Sequence, residues 1–225
     1  MSLMDDSLAL ARKDLLIELR ARHAVAAAVA LGGIALILVG LAVGPDVARL
    51  RQLAPALVWI VLLYGTLAVA DRLDSIDRAD DAFSGLWLAL DDRRAIYLGR
   101  VLSMSGLLMV LQLTLWLGAL VLLDLRTSPN TLLLVPLAGL SAVAISSVTA
   151  LVTTMVGQAS HRALLQPVLL MPLLVPVFLA GVQASAATLG ARASDLPVWA
   201  AATGIEASLF LGVGLVAYEA AARPE

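Results

Sequence analysis

The chain has 225 residues, of which 61% are hydrophobic and 14% charged, and its mean hydropathy is +0.95. A soluble domain is nearer half apolar and a quarter charged, so the composition predicts an integral membrane protein. The formal net charge of -2 leaves no basic surface for a nucleic-acid partner, and the lack of cysteine excludes disulfides, thiolate metal sites and thiol catalysis.

The first 22 residues combine apolar and charged side chains before the apolar part of the chain begins. The apolar ones recur at helical spacing and are Met4, Leu8, Ala11, Leu15 and Leu19. This pattern predicts an amphipathic helix over about residues 3–22 that lies in the membrane interface. A disordered leader is the alternative.

Six stretches are apolar enough for a bilayer core, which takes about 20 residues of helix. They are Ala24–Val43, Leu53–Ala70, Ile96–Leu123, Thr131–Gly157, Gln166–Ala187 and Val198–Ala222. Turn-forming residues separate them, for example Gly44-Pro45-Asp46. The first stretch is longer than the apolar part of a signal peptide and follows acidic residues, so we expect it to be retained.

Lys and Arg are distributed unevenly between the two sides of the membrane that six spans define. Of the 15, 11 lie at the two termini, in the second-to-third loop or in the fourth-to-fifth loop. Cytoplasmic loops carry an excess of these residues, so both termini are predicted to be cytoplasmic. The expected fold is a single all-α domain over residues 1–225.

The second-to-third loop, about residues 71–94, has the pattern of an amphipathic cytoplasmic helix, and we call it the coupling segment. One helical face collects the apolar side chains Leu73, Ile76, Phe83, Leu86, Trp87 and Leu90. The other side collects the acids Asp71, Asp74, Asp77, Asp80 and Asp81, with Ser84 beside them.

Three interpretations of the coupling segment remain open. It is a solvated loop helix, a Mg²⁺ site for lipid phosphotransfer, or a docking helix for a soluble partner. A metal site needs carboxylates from two helices, whereas one stripe accounts for every acid here. No GxxxxGK[ST] phosphate loop occurs in the chain. Energy for uphill transport would therefore come from another chain or an ion gradient.

Four segments in order resemble a known family across nearly the whole chain. They are KDLLIELRARH (13–23), LAPALVWIVLLY (53–64), DRADDAFSGLWLALDDRRAIYLGR (77–100) and LLQPVLLMPLLVPVFLAGVQA (164–184). Their sequence and spacing resemble the CcmB-type permease, a membrane component of the bacterial heme-exporter ABC system used in cytochrome c maturation.

The resemblance implies an ABC-2-type permease fold in the bacterial inner membrane and a non-catalytic subunit. It implies a separate ATPase subunit that uses ATP, a heme-handling membrane protein and a small single-span protein. Heme is then a possible substrate of the complex, and we expect this chain to bind no cofactor or metal itself. The ATPase would dock on Asp77, Arg78, Asp80, Asp81, Phe83, Leu86 and Trp87.

The chain departs from the family pattern within the coupling segment. Ala79, Asp81 and Ser84 stand where the family usually has Glu, Gly and Glu, Leu90 replaces a Pro, and Arg100 replaces a Lys. These changes bear on the tightness of docking. Three other functions stay open: an ABC-2 permease for a lipid or drug, a membrane-embedded metal-dependent lipid phosphotransferase, and a scaffold that couples an ATPase to heme release without transport.

Glu206 is an acid about eight residues into the sixth predicted span. A carboxyl at that depth is costly and is a functional candidate unless a neighbour satisfies it. Because the predicted spans contain no basic residue other than Arg100, near the start of the third, the expected partners are Gln112, Thr114 or Gln183, or a group on another subunit.

Heme is usually ligated by His or Met. The two histidines, His23 and His161, fall at predicted cytoplasmic helix ends. The methionines Met104, Met109, Met155 and Met171 are expected to be packing residues. Any heme ligands in the complex are therefore expected on a partner.

Proline and glycine mark two further features of the spans. Pro167, Pro172 and Pro176 lie in one span and predict a kink that either hinges or shapes a subunit interface. Small residues would allow close approach of helices, and they are Gly32, Gly33, Gly40, Gly44, Gly212 and Gly214.

Overall fold

The structure of the protein is a computed structural model that describes residues 3–21, 23–79, 92, 94–125, 127, 129–156, 161–190 and 193–221. Within these ranges the secondary structure is helical, without strands. The α-helices are α1 Leu3–Ala21, α2 His23–Val43, α3 Val47–Ala79, α4 Arg94–Leu122, α5 Leu134–Val156, α6 Arg162–Thr188 and α7 Leu196–Ala221. Short 3₁₀ helices, Pro129–Leu133 and Ala193–Asp195, precede α5 and α7.

Six helical segments are long and apolar enough to cross a membrane. They are Val25–Val43, Val47–Arg72, Arg94–Leu122, Pro129–Val156, Leu164–Thr188 and Ala193–Tyr218. Each coincides with one of the predicted spans, which confirms an all-α polytopic membrane protein. The match follows from the lack of water in the bilayer core, where only a helix or a closed barrel satisfies every backbone polar group.

The turn between α2 and α3 forms where glycine, proline and aspartate follow one another. Gly44 has φ +73°, a left-handed conformation that glycine adopts without a Cβ clash. Its N–H donates to the Gly40 carbonyl at 3.0 Å. Asp46 then caps α3, because its Oδ1 accepts the backbone N–H of Arg49 at 3.0 Å. This predicted turn is confirmed.

α5 lies at the centre of the bundle and packs against α3, α4, α6 and α7. The main core fills the space between these helices, and its largest fully buried side chains include Trp59, Leu62, Leu108, Leu111, Ile145, Leu170 and Leu174. A second, smaller cluster forms where α4 begins and α7 ends, and comprises Ile96, Tyr97, Val101, Ala150 and Tyr218.

The N-terminal segment forms helix α1, which packs against α4. Among the described side chains of this helix, those of residues 3–17, the buried ones are Ser7, Ala11 and Asp14, so two of these three are polar. Met4 and Leu8 of the apolar pattern are more than half exposed. Exposed apolar side chains on this helix are compatible with contact with lipid, and the location of α1 in the membrane interface stays a prediction.

Candidate functional site

The coupling segment starts as a direct continuation of the second span. α3 contains 33 residues, which is roughly 50 Å of helix, against about 30 Å for a hydrocarbon core. Its last turns therefore extend beyond the apolar layer. Asp71, the first acid of the coupling segment, is exposed on this extension, and the helix continues without interruption to Ala79.

The predicted docking residues fall partly on this extension. Asp77 and Arg78 lie on the last helical turn of α3, and their side chains are outside the described part of the structure. Asp80, Asp81, Phe83, Leu86 and Trp87 lie outside the described residues altogether. The same holds for Ser84 and Leu90 among the departures from the family pattern. Their grouping into a docking face stays a prediction.

α4 begins immediately after the coupling segment, and Asp92 caps its first turn. The Asp92 Oδ1 accepts the backbone N–H of Arg94 at 3.0 Å, and the Asp92 carbonyl accepts that of Ala95 at 3.1 Å. Such a cap satisfies N–H groups that have no partner within the helix. The start of the third span is therefore fixed by the last residues of the coupling segment.

Tyr97, in the first turn of α4, connects three helices. Its side chain is fully buried, and its hydroxyl lies 3.3 Å from the carbonyl oxygen of Ser147 on α5 and 3.4 Å from that of Phe210 on α7. The ring packs on Gly214, where a Cβ would collide with it. The ring centroid of Tyr218 is 5.4 Å away. The first turn of α4 thus contacts both α5 and α7 through one side chain.

A second aromatic contact joins α3 to α6. The Trp59 indole Nε1 donates to the Ser185 Oγ at 3.1 Å, and the ring meets Phe178 edge-on at 5.2 Å. The ring also covers Gly181, which leaves no space for a Cβ. Neither this contact nor that of Tyr97 was predicted, because each depends on which glycine of another helix faces the ring.

The predicted glycine contacts divide into three groups. Gly32, Gly40 and Gly214 each face a large side chain of α4 or of the segment after it: Leu115, Leu123 and Tyr97 respectively. Gly33 and Gly212 have open space around them, and Gly44 serves the turn after α2. Close approach is therefore confirmed for the first group only.

Glu206 lies on α7 inside the sixth span, and its side chain is partly buried. Its Oε2 is shielded from solvent, and no hydrogen-bond partner for it is present in the described chain. Two of the expected partners are engaged elsewhere: Gln112 accepts from Ser141 at 3.0 Å, and Thr114 donates to the Val110 carbonyl at 2.8 Å.

The three prolines of the fifth span all lie inside α6, which continues through them. Pro167 is half-buried, and Pro172 and Pro176 are exposed on the outer side of the bundle. Both exposed prolines therefore stand where lipid or another subunit would contact the helix. Their role as a hinge or as an interface stays a prediction.

The candidate heme ligands do not converge in the part of the chain that the structure describes. His161 is exposed before α6, and the side chain of His23 lies outside the described residues. Met104 is buried and Met109 packs against the main core, as expected of packing residues, whereas Met155 and Met171 are exposed. Among the described residues no cluster of three or more His, Asp or Glu forms a metal site.

These features define a class of protein: a helical membrane protein with six spans, whose second spanning helix continues through charged residues to Ala79. A model of the CcmB protein family matches residues 6–223. Heme exporter protein B of Bradyrhizobium diazoefficiens is 30% identical over 184 residues, which cover 80% of this chain and 81% of that protein. The chain belongs to the CcmB family.

Proposed function

We propose that this chain is the permease subunit of a multi-subunit ABC complex that exports or delivers heme for cytochrome c maturation. The observation that carries this proposal is the family match over nearly the whole chain, together with a relative named for heme export. The six spans supply the membrane part of such a complex. In this proposal the chain lies in the bacterial inner membrane, and both of its termini are cytoplasmic.

ATP hydrolysis takes place in a separate subunit that docks on the coupling segment. The support is the length of α3, whose last turns extend beyond the apolar layer, and the amphipathic pattern that continues after it. Asp77 and Arg78 begin the docking surface, and Asp80, Asp81, Phe83, Leu86 and Trp87 complete it. The other partners are a heme-handling membrane protein and a small single-span protein.

Affinity purification of the tagged chain from cells that contain the whole complex tests the docking surface. Phe83→Asp and Trp87→Asp place a charge on the apolar face of the segment, and we expect each to reduce the co-purified ATPase at least tenfold. Ser75→Asp is the matched control, because it adds the same side chain beside the acids Asp71 and Asp74, and it leaves the ATPase bound. The docking surface is refuted when both apolar-face variants retain the ATPase.

Glu206 provides a second measurement in the same purification. Its Oε2 has no donor in the described chain, and an unsatisfied carboxyl inside a membrane is costly. We therefore assign its partner to another membrane subunit. Glu206→Gln replaces the carboxyl with an amide of nearly the same shape, and we expect it to leave the ATPase bound while reducing the co-purified membrane subunits about threefold. Unchanged recovery of those subunits would show that the carboxyl serves no subunit contact.

A further inference from the structure

The N-terminal helix α1 follows the first three turns of α4 in parallel. Moving along α1, Ser7 and Leu10 lie at Gly99, Asp14 lies at Ser103, and Leu15 lies at Gly106. Both residue numbers increase together, so the two helices run in the same direction. α1 is therefore alongside the part of α4 that directly follows the coupling segment.

The two helices are closest at Gly99. A Cβ at this position would lie 2.7 Å from the Leu10 Cβ and 3.2 Å from the Ser7 carbonyl oxygen. Neither atom is at the end of a flexible side chain, so α1 itself would have to move away. Glycine at residue 99 thus allows α1 and α4 to approach more closely than any residue with a Cβ would allow.

Polar side chains make this contact costly to open. The Ser103 hydroxyl lies 3.0 Å from the Arg100 carbonyl oxygen of its own helix and 3.4 Å from the Asp14 Oδ2, and Asp14 also pairs with Lys13 at 3.1 Å. Asp14 and Arg100 are each only 8% exposed. Separation of the helices would take these buried polar groups away from the neighbours that surround them, which is unfavourable unless new partners replace them.

Tyr97 connects the opposite side of the same turns to the bundle. Its hydroxyl reaches carbonyl groups of α5 and α7, and its ring occupies the space above Gly214. The first turns of α4 are thus held between α1 on one side and α5 and α7 on the other.

We propose that α1 and the first three turns of α4 form one rigid arm, and that this arm carries the displacement of the coupling segment through Tyr97 to α5 and α7. Asp14 and Gly99 are positioning residues in the arm. The proposal rests on the proposed function, because the ATPase supplies the displacement. It assigns to α1 a part in coupling in addition to any contact with lipid.

A disulfide between α1 and α4 tests whether the arm is rigid. The chain has no cysteine of its own, so Asp14→Cys with Ser103→Cys introduces a single pair whose parent side chains are 3.4 Å apart. ATP hydrolysis by the complete complex in phospholipid vesicles is measured after oxidation and again after reduction. We expect the two rates to agree within twofold. A tenfold loss on oxidation that reduction restores would show that α1 moves along α4, and would overturn the proposal.

A pair of alanine substitutions tests whether the arm transmits movement. Gly99→Ala separates α1 from α4, whereas Gly106→Ala places its Cβ at an ordinary 3.6 Å from Leu15. We expect Gly99→Ala to lower cytochrome c assembly at least tenfold while membrane abundance and co-purified ATPase stay unchanged, and Gly106→Ala to remain within twofold of the natural chain. Full assembly with Gly99→Ala overturns the proposal.

Should Gly99→Ala also lower abundance, cytochrome c assembly is divided by the amount of the chain in the membrane, and a normalised loss of less than twofold overturns the proposal. A failure of the proposed function is distinguishable from a failure of the arm. In that case the natural chain itself co-purifies no ATPase, before any variant is measured. Retention of the ATPase by the natural chain, combined with inactivation by the disulfide, refutes the arm and leaves the proposed function intact.

Discussion

The two halves of α4 are held in the bundle by different kinds of contact. The half that follows the coupling segment is fixed by Tyr97, whose hydroxyl reaches two carbonyl groups, and by the polar contact of Ser103 with Asp14. The other half contacts glycines of neighbouring helices through flexible leucine side chains. Leu111 packs on Gly65, and Leu115 packs on Gly32. Directional hydrogen bonds fix one position, whereas leucine side chains can change rotamer when a neighbour moves.

This difference suggests a division of roles along one helix. The first half has little freedom to rearrange, which suits an element that receives a displacement. The second half packs through adaptable side chains against α2 and α3, which suits a contact at which helices adjust. The following three predictions test the contrast, beginning with the substitution of largest expected effect.

Gly214→Ala should be the most damaging change, because its Cβ would collide with the Tyr97 ring and hydroxyl. The ring is fully buried and its hydroxyl contacts two carbonyl groups, so we expect the free energy of unfolding to fall by about 3 kcal/mol. Reversible denaturation in detergent micelles measures this loss. Gly212→Ala is the matched control, since nothing lies near its Cβ, and it should change stability by less than about 0.5 kcal/mol. Equal effects of the two variants would refute the rigid contact.

Gly32→Ala tests the other half of α4 and should cost only about 1 kcal/mol. The nearest atom is the terminal Cδ2 of Leu115, which can rotate aside, and the next is the Val61 Cγ1 at 3.0 Å. The same denaturation experiment with Leu115→Ala as background should show most of this cost removed, because the obstacle is gone. Gly33→Ala, with open space around it, should be neutral. A loss as large as that of Gly214→Ala would mean that the two halves do not differ.

The smallest effect concerns the hydrogen bond between Ser141 and Gln112, which joins α5 to the middle of α4 at 3.0 Å. A double-mutant cycle with Ser141→Ala and Gln112→Leu should give a coupling free energy of about 0.6 kcal/mol, typical of side-chain bonds between membrane helices. Thr114→Val is the control, since its hydroxyl bonds within its own helix. A coupling above about 2 kcal/mol would place this bond with the rigid contacts.

Much of the fold could be predicted because hydropathy and helix length report directly on the bilayer. The spans and the turn at Gly44 and Asp46 agree with the structure. The α1 helix was also predicted, but its apolar pattern did not indicate that Ser7 and Asp14 would be buried. A helical wheel ranks residues by polarity, and this contact is formed by small and polar side chains against glycine and serine.

The candidate sites were less predictable, for a related reason. Glu206 attracts attention in any sequence because a carboxyl inside a span is rare. Tyr97 does not, since a single tyrosine in a span has no distinctive pattern until Gly214 and the carbonyl of Ser147 are placed around it. Likewise Gly212 and Gly214 look equivalent along the chain, and only one of them faces a ring.

The amino-acid sequence by itself determined the membrane class, the number and approximate positions of the spans, the charged coupling segment and the family, because each of these depends on composition or on order along one chain. Tertiary structure alone decided which glycines are in contact with a large side chain of another helix, that α1 runs beside α4, and that Tyr97 joins three helices. Those contacts are set by the rotation and depth of each helix relative to its neighbours, which result from packing of the whole bundle and leave no periodic pattern in any single helix.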